Sequence, residues 1–484
     1  MNLRKIFAFI PEVKKPEEKK VDFKTKAKWT IIILAIFFVL SNVPLFGLAQ
    51  NALAKFEYLA IILGTSFGSI VSLGIGPIVM ASIILQLLTG SKIINIDQST
   101  EEGKKFFQGI QNLLVFFFIF FEAAIYVLMK GLEATPGFAW LVIFQLILGG
   151  LAIFYMDQVT TKWGFGSGVS LFIGAGVAWR LFASAFQFID SNGTNCLIGF
   201  TSDSGACSGK ILVILKSLIV SGISFSNSEF NVAVLSVIAT ILIFLLVVWA
   251  QSLKVEIPLS YGRIRGYTVK WPLSFFYASV IPVILTAAVV ANLQLFGGLI
   301  QNAASSCLVE GGTCEGLAKI ASYFTFLGTF ENGRAVSGFV SWISSINLLE
   351  LLFKSEFSIW LILKSITHVL FFAFFSTLFA IFWVKTSGMD AKTQAESLSS
   401  NGLQVSGFRQ DIRILESILD RYIMPLTIMG GIAIGLLASI TNLLGALVSG
   451  TAILLVIMIT FQFYQNIFKQ HETDMNPLLR KFMG

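Results

Sequence analysis

Residues able to do covalent or acid–base chemistry are few in this 484-residue chain and stand far apart. There are two histidines, His368 and His471, and no His-Glu-x-x-His, Gly-x-Ser-x-Gly or Walker A spacing. A hydrolase needs a nucleophile with a base in reach. A metal centre needs several imidazole, thiolate or carboxylate ligands gathered together. The sequence therefore argues against an enzyme and calls for no metal or cofactor. Two ionisable residues fall inside apolar runs, Glu122 and His368. Ion-coupled transporters keep such groups for their ions, which makes a secondary solute transporter the alternative function. The simpler reading is that each is structural, with its polar atoms satisfied. The four cysteines form two groups, Cys196 with Cys207 and Cys307 with Cys314. Three pairings are possible, and the two local ones are the simplest if both segments face an oxidising compartment.

The elements that hold these residues are membrane spans. Hydrophobic residues make up 55% of the chain, charged ones only 13%, and mean hydropathy is +0.81. Water-soluble domains carry about 25% charge. The apolar residues fall in runs of roughly 20, the length that crosses a hydrocarbon core as helix. The expected spans are 29–47, 74–90, 106–129, 136–157, 165–187, 230–252, 272–296, 358–384, 422–441 and 447–468. Residues 1–28 are polar and lysine-rich, so the first run is retained rather than cleaved as a signal. Within them Leu3, Ile6, Phe7 and Ile10 recur at helical spacing and predict a surface-lying helix. The stretch 56–73 is apolar but broken by Gly64, Gly68 and several Ser and Thr, which predicts a half-helix that enters the protein and turns back.

Charge gives the orientation. With the N-terminus inside, 25 of the 34 Lys and Arg fall on inner segments, so both termini are expected in the cytoplasm. The four cysteines then lie outside, as does the single glycosylation sequon, Asn192-Gly193-Thr194.

Four stretches add specificity: Leu73-Gly74-Ile75-Gly76-Pro77-Ile78-Val79, running on to Gln86-Leu87-Leu88; Gly164-Phe165-Gly166-Ser167-Gly168; Lys254 to Leu259, followed by Gly262-Arg263-Ile264-Arg265-Gly266; and Gly407-Phe408-Arg409 ahead of Arg421-Tyr422 and Pro425-Leu426-Thr427. In this order and spacing, from the N-tail to Phe468, they resemble SecY in its archaeal and eukaryotic-type form. The resemblance implies an all-α polytopic membrane protein. About ten transmembrane helices would form two inverted-repeat halves around a central pore, with a re-entrant plug half-helix. The halves would be 29–187 and 230–468, joined by an external loop 188–229. Cytoplasmic loops are expected at 253–271 and 385–421, and a tail at 469–484.

The same resemblance implies roles. An aliphatic pore ring would fall on Ile75, Val79, Val169, Ile173, Ile284 and Leu455. The plug would centre on Gly64, Thr65, Ser66, Phe67, Gly68 and Ser69. A lateral gate would run between spans two and three on one side and seven and eight on the other, with Gln86 and Asn292 placed to hydrogen-bond across it. Arg263, Arg265, Lys270, Arg409 and Arg413 would form a basic face for the ribosome, to whose RNA phosphates such cations are drawn. Implied partners are a SecE-type subunit, a small β-type subunit, the ribosome, signal-bearing nascent chains and the lipid bilayer, with no DNA. The implied location is the plasma membrane. The outer segment 297–357 carries its own cysteines and receives no role.

Overall fold

A computed structural model describes residues 12–17, 21–51, 68–90, 93–94, 96, 101–129, 131–188, 196, 207–220, 228–261, 268–278, 281–308, 323–331, 334–348, 358–400, 403–405 and 411–475. The first half contains α1 (Phe23–Asn42), α2 (Gly76–Gly90), α3 (Glu101–Leu128), α4 (Ala139–Trp163) and α5 (Gly168–Phe186). A short antiparallel pair, β1 (Leu48–Asn51) and β2 (Leu132–Ala134), ties the ends of two of its loops. The connection between the halves contains a helix, α6 (Lys210–Val220). The second half follows with α7 (Ser228–Gln251), a hairpin of β3 (Lys254–Tyr261) and β4 (Thr268–Ser274), and α8 (Ile281–Leu308). Next come β5 (Thr329–Glu331), β6 (Arg334–Ser337), α9 (Phe339–Ile343), α10 (Ile359–Thr386), α11 (Ala391–Ser400), β7 (Leu403–Val405), α12 (Ile412–Leu443) and α13 (Gly450–Met475).

Among the described residues, eight helices are long and apolar enough to cross a membrane. The two other expected spans fall short for visible reasons. α1 begins with Lys24, Lys26 and Lys28, which dilute its apolar run. α2 has 15 residues, about 22 Å of helix, and receives its chain from the irregular buried stretch 68–75.

Two departures concern the second half. Span seven was expected over 272–296, yet residues up to Ser274 are strand and the helix starts at Ile281. The cytoplasmic segments expected as loops build one sheet of order β4-β3-β7. The strand period explains it. Ile257 and Leu259 are buried while Lys254, Glu256 and Pro258 face out, the alternation of a half-buried strand. Pro258 is tolerated because β7 pairs only with Leu259, Ser260 and Tyr261. The sheet shares a small core with α11 and the base of α12, around Ala395, Leu398, Leu415 and Leu419.

Hydrogen bonds dock the segment 323–348 onto α8 and α10. The Phe330 N–H donates to Gln301 Oε1 at 2.5 Å, Gln294 Nε2 donates to Ser344 Oγ at 2.8 Å, and His368 Nδ1 bonds the Ile343 carbonyl at 2.6 Å.

Candidate pore and lateral seam

The two halves touch along two lines. Along one, α2 packs on α8 and α10; along the other, α1 and α5 pack on α13. The six predicted ring positions come from the helices that form these lines. Ile75 immediately precedes α2 and Val79 lies on its first turn, bonded N–H to carbonyl at 3.0 Å, so both occupy one face. Val169 and Ile173 are on α5, Ile284 is on α8, and Leu455 is on α13. All six belong to one apolar cluster; five are buried and Val169 is partly buried. Aliphatic side chains offer no group to hold water or an ion.

The expected plug is only partly visible. Gly64, Thr65, Ser66 and Phe67 lie outside the described residues. Gly68 and Ser69 begin a tight chain that runs to Ile75. The Gly68 carbonyl accepts from Leu45 N–H at 2.9 Å, and Ile70 N–H donates to the Val43 carbonyl at 3.0 Å. Gly74 has φ +54°, which favours glycine. The chain also lies hard against α4: a Cβ on Gly149 would stand 1.9 Å from the Ile70 carbonyl oxygen. Residues 68–75 are therefore anchored. Val71, Ser72, Leu73 and Ile75 are fully or almost fully buried, so moving this stretch exposes apolar surface.

At the seam, Gln86 on α2 and Asn292 on α8 are both buried. The hydrogen bond expected between them is not formed. Asn292 Nδ2 donates to the Ala288 carbonyl of its own helix at 2.8 Å, and Gln86 Oε1 has no partner. Near the other end of α2, Gly90 packs so closely on the Phe382 ring that a Cβ would stand 2.5 Å from it. Glu122 on α3 departs from the satisfied structural residue expected: both carboxylate oxygens are buried without a hydrogen-bond partner, and one stands 3.0 Å from where a Cβ on Gly76 would be. His368 is satisfied at Nδ1 only, and its Nε2 has no partner.

A family model described as SecY matches residues 69–464. The protein translocase subunit SecY of Methanothermobacter thermautotrophicus is 40% identical, over 99% of this chain and 98% of its own. The chain belongs to the SecY family. Among solved structures, the one titled as that of a protein conducting channel superposes with TM-score 0.79 at 35% identity, covering 99% of both chains. A second, on the plug domain of SecY stabilising the closed state of its channel, gives 0.78 at 34%. Sec61 in a canine ribosome–channel complex from the endoplasmic reticulum gives 0.76 at 34%, and both cover 99% of each chain. These likenesses support the channel reading and lend nothing to the transporter alternative.

As a member of the SecY family the chain is a multi-pass membrane protein. Arg263, Arg265 and Arg409 lie outside the described residues. Lys270 on β4 is exposed and ion-paired with Glu256 at 2.7 Å, a bond that raises the lysine's pKa. Arg413 is exposed on the first turn of α12, behind the capping residue Asp411. The shared sheet brings the two expected loops into one layer. Cys196 and Cys207 are disulfide-bonded, one of the two expected pairs. Cys314, the Cys307 side chain and the sequon lie outside the described residues.

Two residues escaped the sequence reading. Asp157 of α4 accepts from the Val169 N–H at 2.9 Å and so caps the first turn of α5, a task that Ser167 does not perform. The expected end of span four at Asp157 hid it. Glu12 accepts from Asn112 Nδ2 at 2.9 Å and pairs with Lys162 at 3.4 Å, which clips the N-tail to α3 and α4. The surface helix expected from Leu3, Ile6, Phe7 and Ile10 lies outside the described residues. The spacing of Asp157 and Glu12 from their partners carries no local signal.

Proposed function

We propose that this chain is the pore-forming subunit of a Sec protein translocase in the plasma membrane, with both termini cytoplasmic. It passes unfolded secretory polypeptides across the bilayer and releases hydrophobic segments sideways into lipid. The observation that carries this reading is the ring. Six aliphatic side chains, on or next to the helices along which the two halves touch, belong to one apolar cluster, five of them buried and Val169 partly buried. Such a ring blocks ions when closed and offers a passing chain no hydrogen bond to linger on. Residues 64–69 act as the plug, and α2 with α8 and α10 forms the lateral gate at Gln86 and Asn292. The sequence carries no Walker A loop, so the drive comes from a partner such as a translating ribosome. Arg263, Arg265, Lys270, Arg409 and Arg413 form the docking face. A SecE-type and a β-type subunit complete the complex. The test is reconstitution of the complex in planar bilayers. The intact channel should be silent when idle, and deletion of Gly64–Ser69 should leave an assembled channel that leaks ions. A deletion variant as tight as the intact channel refutes the plug assignment, and failure of the intact complex to pass secretory chains refutes the function.

A further inference from the structure

The link between the two halves contains α6, and its amphipathicity is reversed for a helix in water. Ser217 is buried with no hydrogen-bond partner for its hydroxyl. Leu215, Leu218 and Ile219, spaced i, i+3 and i+4 on one face, are 45%, 41% and 62% exposed. α6 packs against both α5 and α7. The Cys196–Cys207 disulfide closes the chain just ahead of it. Gly209 N–H then donates to the Gln187 carbonyl at 2.9 Å, tying the start of α6 to the end of α5.

The neighbour α7 shows what the exposed face meets. From Phe230 to Val237 no residue of α7 is exposed, whereas Ile238, Ile241, Leu242, Leu245 and Trp249 are. That apolar face, from Ile238 to Trp249, is about 17 Å long at 1.5 Å per residue. A bilayer core is about 30 Å thick. The covered outer turns of α7 leave a gap in its lipid-facing belt, and α6 packs on this helix. On the other flank the exposed belt of α5 continues outward through Phe182 and Phe186.

We infer that α6 is immersed in the outer leaflet, with Leu215, Leu218 and Ile219 against acyl chains. It completes the belt that α7 leaves short, so the link between the halves is a lipid-facing element rather than an aqueous loop. The inference rests on the proposed membrane orientation only for which leaflet is involved.

The test places a diazirine side chain at position 215, 218 or 219 of the full chain. The complex, with its co-purifying subunits, is reconstituted in phosphatidylethanolamine–phosphatidylglycerol vesicles. After illumination, mass spectrometry reads what each site has captured. Phospholipid adducts are expected at all three positions, as at a control site in place of Leu242, while a site at Ser217 should crosslink within the chain. Water adducts or crosslinks to a polypeptide at 215, 218 and 219, with lipid adducts retained at 242, overturn the inference alone. Loss of lipid adducts at 242 as well overturns the membrane placement of α7 and the inference with it.

Discussion

Replacing Gly149 by alanine isolates the anchoring of the chain below the plug. The new methyl carbon would sit 1.9 Å from the Ile70 carbonyl oxygen and 2.8 Å from its carbon. Both atoms are backbone, so no side-chain rotation relieves the overlap. Ordinary van der Waals separation is about 3.5 Å, so residues 68–75 must retreat by roughly 1.5 Å. That stretch is fixed by the bonds to Val43 and Leu45 and ends at Ile75 in the ring, so a retreat strains the closed arrangement. Overpacking of this kind costs about 1–3 kcal/mol. If half or more of that cost is relieved on opening, the idle channel should open roughly three- to a hundredfold more often, since about 1.4 kcal/mol is a factor of ten. Single-channel recording in planar bilayers without substrate reads this directly. Gly176→Ala on α5 is the control, because no atom lies within 4 Å of its would-be Cβ, and it should stay silent. Idle conductance of Gly149→Ala equal to that control, in a protein that assembles normally, refutes the anchoring argument.

Three other perturbations have signed outcomes. Asp157→Ala leaves the Val169 N–H without its acceptor and should cost about 1–3 kcal/mol, lowering the melting temperature of the complex; Asp157→Asn keeps an oxygen there and should retain most of the stability. Gln86→Leu removes an unpartnered buried amide oxygen and should stabilise the closed seam, so translocation assays should demand more hydrophobic signals. Asn292→Leu loses only a bond within its own helix and should change the threshold less; an unchanged threshold in both variants removes them from the gate. Tyr277 donates its hydroxyl to the Met389 carbonyl at 2.7 Å, and burial followed by the nearby Asp390 charge raises its pKa. A raised phenol pKa favours the fold below the unfolded value near 10, and that contribution is lost as pH climbs toward the folded value. Tyr277→Phe should therefore cost about 1 kcal/mol at neutral pH and flatten the alkaline edge of the stability profile.

The spans were legible because lipid imposes a simple rule on length and polarity, and the rule acts on each run of sequence alone. The sheet β4-β3-β7 was legible in part: Lys254-Val255-Glu256-Ile257 alternates with period two, but the pairing of β3 with β7 links residues about 145 positions apart and depends on the base of α12. Trp271, Pro272 and Leu273 read as the start of span seven because an apolar strand and the entry to a helix look alike over so few residues. The helix Lys210–Val220 lies inside the segment 188–229 expected as a loop, because an apolar run of 11 residues is shorter than the roughly 20 that mark a span. For the ring, sequence supplied the types and motif register supplied the positions, but only the fold brings α2, α5, α8 and α13 together. The missing Gln86–Asn292 bond depends on side-chain reach, which no spacing encodes.

The packing makes α2 the part shared by all three elements of the proposed closure. Its first turn carries Val79 and directly continues Ile75 of the ring. The chain that enters it is the anchored stretch beneath the plug, turned at Gly74 and backed by Gly149. Farther along, Gly90 packs on Phe382 of α10, and Gln86 lies buried on the same helix, which packs on α8 and α10. A helix of about 22 Å behaves as a rigid rod at this scale, and interfaces packed this closely switch between arrangements rather than deform smoothly. A hydrophobic segment that parts α2 from α8 and α10 must therefore also displace Val79 from the ring and pull on residues 68–75. On this argument the lateral opening, the widening of the ring and the release of the plug are one movement. Gln86 favours that movement slightly, because its unpartnered oxygen makes the closed seam less stable than an apolar side chain would.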